Sequence, residues 1–234
     1  MNQRLPKVAT MATMPSRRET FEKVLPAIHA QADRVFVFLD GYDGCPDFLN
    51  RFERVVVRRA DAVGDLHASS RLLCLRELDG PSVVAIVDDD VAYPPDYLSR
   101  MTVALERHGG DAIVGVHGRI FTPPHASYAR DAIAIHFAHA LARPRQVHEL
   151  GTGTCAFLSD RFSVDPLGFG RGDMDDILLA IAAQKQGLPR FAIARPAGWL
   201  KPLAQLQADS LWRRVQADDS AHTERMRDLL RLYL

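Results

Sequence analysis

The chain has no surplus of charge of either sign. Lys and Arg number 29, as do Asp and Glu, among 234 residues, which excludes a broad electrostatic footprint for nucleic acid. Arginines do gather near the C-terminus (Arg213, Arg214, Arg225, Arg227, Arg231), but acids interleave with them, as on a solvated helix face. Cysteine is scarce. Cys45, Cys74 and Cys155 are widely spaced and form no Cys-x-x-Cys pair, which excludes a disulfide or zinc framework and is expected of reduced thiols in a cytoplasmic protein. No apolar run is long enough to span a bilayer, and Lys7, Arg17 and Arg18 interrupt what would be a signal-peptide core. Glycine is missing where the first apolar segment ends, in VATMATMPSRR, so the chain does not open on a glycine-rich phosphate loop.

What is present is an alternation of strand-like and helix-like runs. Residues 7–12, 34–39, 54–58, 83–87 and 112–116 are short, apolar and rich in β-branched residues, as buried strands of a parallel sheet are. Between them, residues 17–31, 68–78 and 95–108 place apolar residues at helical spacing, with Pro26 weakening the first helix and Gly109-Gly110 stopping the third. This rhythm predicts right-handed crossovers and an α/β domain with a mostly parallel sheet flanked by helices. Beyond Gly118 the rhythm breaks. Residues 121–130 read as a Pro-rich loop. In residues 132–147, Ile133, Ile135 and Phe137 alternate as in a strand, although a helix is also compatible. Strands are expected at 155–158 and 191–194, and helices at 173–186 and 210–234. No repeat or linker divides the chain, so one domain over residues 1–234 is expected, with 1–118 as one half and 119–234 as the other.

Two acidic clusters stand out. Residues 82–97, SVVAIVDDDVAYPPDY, run an apolar strand into Asp88, Asp89 and Asp90 before Pro94 and Pro95. Ligands in open α/β sheets bind beyond the carboxyl ends of strands. Adjacent carboxylates there repel one another unless a cation intervenes, so the pattern points to a divalent metal that holds a phosphorylated substrate. The second cluster, Asp173, Asp175 and Asp176, opens a helix after a glycine-rich loop. Both also fit plain helix starts, with Asp96 behind Pro95 in one and a capping-box pattern of Asp173 and Asp176 in the other.

The order of these landmarks resembles nucleotide-sugar glycosyltransferases of family 2 with the GT-A fold, over roughly residues 8–194. Asp88-Asp89-Asp90 is similar to their Asp-x-Asp motif. Gly151-Thr152-Gly153-Thr154 followed by Asp175-Asp176 is similar to their acceptor loop and catalytic base, and the helix ILLAIAAQKQGLP to the one after it. Two segments depart from the pattern. Met14-Pro15-Ser16-Arg17 replaces a Pro-Tyr-Asn type, and Gly64-Asp65-Leu66 with Ser69-Ser70-Arg71 replaces an Ala-Arg-Asn type.

The resemblance implies a metal-dependent, inverting transfer from a nucleoside-diphosphate sugar, a UDP-sugar above all, to a hydroxyl of a surface glycan or lipid-linked acceptor. Thr10, Asp40, Arg71, Asp88, Asp89 and His117 would bind the donor. Asp90 and Asp88 would hold Mg²⁺ or Mn²⁺, with His222 as the C-terminal candidate ligand. Thr152, Gly153 and Thr154 would meet the acceptor, and Asp176 or Asp175 would take its proton. The setting would be the cytoplasm, with the inner face of the membrane as a place of action. His136, His139 and His148 fit no standard zinc ligand set. Trp199 and Trp212 read as core anchors or sugar-stacking faces. The Gly151–Thr154 run also fits a tight turn needing positive φ. A nucleotidyltransferase that makes nucleotide sugars, or a non-catalytic nucleotide- or sugar-binding module, are the alternatives.

Overall fold

The computed structural model describes residues 4–60, 66–169, 174–203 and 211–234. Strand β1 (Lys7–Thr13) pairs in parallel with β2 (Arg34–Leu39) on one side and β4 (Val83–Val87) on the other, and β3 (Val55–Arg59) extends the parallel set beyond β2. The sheet continues through β11 (Thr154–Leu158), β6 (Ile113–Gly115), β12 (Arg190–Ala192) and β9 (Arg145–Val147), giving eight strands in the order β3-β2-β1-β4-β11-β6-β12-β9. Four of its ladders are parallel and three antiparallel, so the sheet is mostly parallel, as expected, and every antiparallel ladder involves a strand of the second half, β11 or β9. Two small sheets accompany it. One joins β7 (Gly118–Phe121) to β8 (Ala132–Ile135) and β10 (Glu149–Leu150), and the other joins β5 (Val91–Ala92) to β13 (Lys201–Pro202).

The strands of the first half are continuous apolar runs because both faces are covered. Odd-numbered residues such as Ala9, Met11, Val35, Val37, Val83 and Ala85 pack under α1 (Arg18–His29) and α2 (Tyr97–Glu106). Even-numbered ones such as Val8, Phe36, Phe38, Val84 and Ile86 pack under residues 66–77 and α3 (Asp175–Lys185). Truncating a residue of that kind, Ile86→Ala for example, costs about 2–5 kcal/mol in a close-packed core. Helix α2 stops where the glycines demand it: Gly109 and Gly110 have φ of 63° and 82°, and the Gly110 amide donates to the Leu105 carbonyl at 3.0 Å.

Three expectations need correction. Residues 68–78 are not an α-helix but a 3₁₀ segment, His67–Glu77. Thr10 Oγ1 donates to the Arg71 carbonyl at 2.7 Å, which gives that acceptor a partner outside the helical ladder, and the buried Ser69-Ser70 pair favours helix weakly. The C-terminal helix is two helices, α4 (Leu211–Ala217) and α5 (Ser220–Arg231), broken at Asp218-Asp219. Asp219 Oδ2 accepts from Ser127 Oγ at 2.5 Å and from the Ala129 amide at 2.8 Å, so the break ties the 127–129 loop down. Helix α3 begins at Asp175, with Met174 rather than an acid at its cap, and Asp173 lies outside the described residues. The strand reading of residues 132–147 holds at both ends, in β8 and β9.

Candidate active site

The register of β11 against β4 builds the site. Thr154 lies opposite Val87, so residues 151–153 arrive where β4 releases Asp88, Asp89 and Asp90. The start of α3 reaches the same place. The result is a cavity of about 890 Å³, lined by all three aspartates, by Asp40 and Arg71, by residues 151–154 and by Asp175 and Asp176. That volume suits a ligand larger than a single monosaccharide.

Arg71 ties the two acidic clusters together. Its Nη1 donates to Asp88 Oδ1 at 2.6 Å, and its Nη2 donates to Asp175 Oδ2 at 2.7 Å and to Thr152 Oγ1 at 2.6 Å. Burial opposes the charge of Arg71, but Asp175 and Asp88 outweigh it and hold its pKa above the ordinary arginine value. Asp176 faces the cavity from the next position. Its Oδ1 accepts from the Thr152 amide at 2.7 Å and from Thr152 Oγ1 at 2.6 Å. Thr152 has one hydroxyl proton, so its 3.0 Å contact with Asp175 Oδ2 competes with the shorter bond to Asp176. Burial, and then the charge of Asp175, push the Asp176 carboxyl up to about 7, the value that suits a general base at neutral pH.

Gly153 is required by close approach rather than by backbone conformation. A Cβ there would stand 1.8 to 2.2 Å from the Asp88 carboxyl atoms. The tight turn is present, with the Thr154 amide donating to the Gly151 carbonyl at 3.0 Å, but the positive φ expected of it is not: Gly151 and Gly153 are not among the positive-φ glycines. Tyr93, fully inside, locks the same pair of segments. Its hydroxyl accepts from the Asp88 amide at 2.8 Å and donates to the Gly153 carbonyl.

The triplet is divided by its surroundings. Burial raises Asp89 to about 7, and burial with the nearby Asp88 charge raises Asp90 to about 6. Both values mean that negative charge is uncomfortable here without a cation. Arg17 Nη1, 3.9 Å from Asp90 Oδ2, answers part of it. Among the described residues no three His, Cys, Asp or Glu side chains converge as a ready-made metal cluster. Mg²⁺ and Mn²⁺ need no such cage, because one or two carboxylates with substrate phosphate and water complete their shell. Asp88 and Asp90 fit that role.

Of the other residues singled out from the sequence, Asp40, His117 and His222 all line the cavity. His67 donates Nδ1–H to Asp40 Oδ2 at 2.8 Å. His222 packs against the Tyr128 ring, with centroids 5.0 Å apart. Thr10 is the exception: it is fully buried behind the site and acts on Arg71 through the bond already described. Trp199 lies away from the cavity, bonded to Asp96 and covered by Arg100, whereas Trp212 lines it. Sequence reading missed Tyr93, His67, Arg119 and Tyr128. None carries a spacing signal, since each comes from a segment that only the fold brings round: loops for Tyr93 and Tyr128, the start of the 3₁₀ segment for His67, and strand β7 for Arg119.

The sequence profile of the family described as glycosyl transferase family 2 matches residues 15–164. No curated protein matches the chain. Among solved structures, GalNAc-T7 with UDP, GalNAc and Mn²⁺ aligns with a TM-score of 0.57 at 9% identity, over 98% of this chain and 55% of that one. TarS 1-349 of S. aureus with UDP-GlcNAc aligns at 0.56 and 11% identity, over 97% and 65%. The mannosyltransferase PcManGT of Pyrobaculum calidifontis with GDP-Man and Mn²⁺ aligns at 0.54 and 17% identity, over 92% and 62%. At these identities the likeness is one of fold, and the chain spans between 55% and 65% of the length of those structures.

Proposed function

We propose, from the premise that this chain belongs to glycosyl transferase family 2, that it transfers a sugar from a nucleoside-diphosphate sugar to an acceptor hydroxyl, with inversion. The observation that carries this reading is the convergence, through Arg71 and Thr152, of a strand-end aspartate triplet and a second aspartate pair in one cavity. Structures of the same fold hold UDP, UDP-GlcNAc and GDP-Man, which supports this donor class, and a UDP-sugar is the reading adopted here.

In this scheme residues 1–118 form the donor half. Asp40 and His67 receive the nucleoside end and Asp88 the ribose. Asp88 and Asp90 would hold Mg²⁺ or Mn²⁺, a choice supported by the Mn²⁺ present in two of those structures; when bound, the cation supplies Lewis-acid stabilisation to the departing diphosphate. Asp89, deeper and held nearer neutrality, shapes the turn. Residues 119–234, with the 151–154 loop, form the acceptor half. There Asp176 accepts the proton of the attacking hydroxyl. With Oδ1 occupied by Thr152, the base atom is Oδ2. Asp175, pinned by Arg71, orients the pair and is the alternate base. Thr152 donates two hydrogen bonds to Asp176, which keeps its carboxylate aimed as the proton arrives. The acceptor is a glycan or lipid-linked sugar. Among the described residues no helix is long and apolar enough to cross a membrane.

A thermal-shift screen of UDP, GDP and their sugars, with and without Mn²⁺, tests the core of this reading, since a ligand of the native state raises its apparent stability. Mn²⁺-dependent stabilisation by at least one nucleoside diphosphate is expected. No stabilisation by any of them would remove the donor assignment.

A further inference from the structure

The two sides of the cavity are charged differently. Among the described residues its carboxylates are Asp40, Asp88, Asp89, Asp90, Asp175 and Asp176. Residues 117–137 and the C-terminal helices line it with Arg119, Arg214 and three histidines, and with no carboxylate. Burial lowers His117 to about 4 and holds His136 below its ordinary value, so at neutral pH the two arginines carry the dependable positive charge of this side.

Arg119 is the informative one. It is 6% exposed. Its Nη2 donates to the carbonyls of Tyr128 and Ala129, and its Cζ stands 4.2 Å from the Tyr128 ring centroid and 5.1 Å from that of Trp212. Its Nε is buried and without a partner. Among the described residues it makes no ion pair with a carboxylate. Glu149 is its register partner across β7 and β10, yet Glu149 takes the Tyr128 hydroxyl at 2.8 Å and leaves Oε2 unpaired. Burial and the Asp176 charge push Glu149 up to about 8 against the pull of Arg119, which weakens it as a counter-charge. A guanidinium cannot escape by losing its proton, and a buried cation without a counter-charge is a costly arrangement to keep. A substrate anion resolves it.

The position says which substrate. Tyr128 and Glu149 each feel the charges of both Asp176 and Arg119, so Arg119 stands on the side of the base, where an attacking acceptor must come. We propose that Arg119 anchors a subsite for an anionic group, carboxylate or phosphate, carried by the acceptor, with the exposed face of Trp212 against the acceptor ring. This rests on the transferase reading, with Asp176 as base. A planar guanidinium matches the two oxygens of either anion.

The test is titration of the protein, saturated with UDP and Mn²⁺, with glucuronate, glucose 6-phosphate and glucose. At least one acidic sugar is expected to bind tenfold or more tightly than glucose. Arg119→Met should erase that margin and leave UDP affinity unchanged, Arg119→Lys should keep part of it, and Trp212→Ala, at a 42% exposed residue, should weaken all three sugars alike. The wild-type margin alone decides the matter if the Met variant does not fold. Acidic sugars that bind no better than glucose, or not at all, overturn the subsite while UDP binding upholds the transferase reading. Loss of the margin when UDP is added assigns the arginine to the diphosphate. A gain seen only for UDP-glucuronate over UDP-glucose assigns it to the transferred sugar. Either of these overturns the acceptor assignment. Failure of UDP and GDP to bind at all removes both readings.

Discussion

The acidic and the basic sides of the cavity are made in different ways. The acidic side hangs from the ends of regular elements: β2 delivers Asp40, β4 delivers Asp88 to Asp90, and the first turn of α3 holds Asp175 and Asp176. Its charges are crowded, and three of its carboxyls are pushed well above the ordinary 3.8, to about 6 or 7. The basic side is assembled from a strand of a minor sheet, a loop and the two C-terminal helices, and its central charge, Arg119, is held by carbonyls and aromatic rings instead of acids. In the proposed scheme one side receives positive charge and a proton, and the other an anion. Where a site is rich in one charge without its complement, the missing partner belongs to the ligand.

The largest expected effect lies on the acidic side. Asp176→Asn keeps the shape and the Thr152 bonds but cannot take a proton. We expect turnover to fall by about 10²–10⁴-fold, with UDP affinity retained, as read by product formation and by titration. NMR of the wild-type product should show inverted anomeric configuration. Retention would break the single-displacement mechanism, and near-normal turnover in both Asp175→Asn and Asp176→Asn would break the assignment of the base.

Asp90→Ala is expected to remove the Mn²⁺-dependent part of UDP binding, a loss of about 10–100-fold by analogy with other perturbed metal sites, with the melting temperature undiminished because one of several crowded acids has gone. Equal UDP affinity in variant and wild type, with and without Mn²⁺, would take the metal off the triplet. Gly153→Ala forces a methyl group into the Asp88 carboxyl. A loss of about 1–3 kcal/mol is expected, as for other overpacked sites, and urea denaturation reads it. An unchanged midpoint would mean that the loop and the triplet are not coupled.

The smallest effect is one of pH. In the folded protein Asp89, Asp90 and Asp176 keep protons that the unfolded chain, with carboxyls near 3.8, has released. The unfolded state therefore binds fewer protons between about pH 4 and pH 7, and stability falls as pH rises through that window. We expect the melting temperature to decline from pH 5 to pH 7.5 without metal and to be partly restored by Mn²⁺ with UDP. The rate should move the other way, with kcat/KM rising through about pH 7 as Asp176 loses its proton. A melting temperature that climbs over the same range would contradict the crowding of the acidic side.

The comparison also marks what could be read without a structure. The first-half strands were legible because two-sided burial leaves uninterrupted β-branched runs, and the triplet because a strand end is where such sheets bind ligands. The 3₁₀ form of residues 67–77 was not, since Leu72, Leu75 and Leu78 fit helical spacing and the bond from Thr10 is a contact across 61 residues. Thr10 itself read as a pocket residue for want of knowing which way its side chain points in a fully covered strand. The break at Asp219 was equally hidden: what the acid holds is a loop 90 residues earlier.

By itself the sequence determined the alternation of elements, the two acidic clusters and their order, because local periodicity and short-range repulsion are properties of neighbours along a chain. The tertiary structure alone decided that these clusters share one arginine, that Gly153 must be bare to let Asp88 pass, and that Arg119 stands buried with no ion pair among the described residues. Those facts depend on the register of β11 against β4 and of β10 against β7. Register is set by packing between distant segments, and no window along the chain contains it.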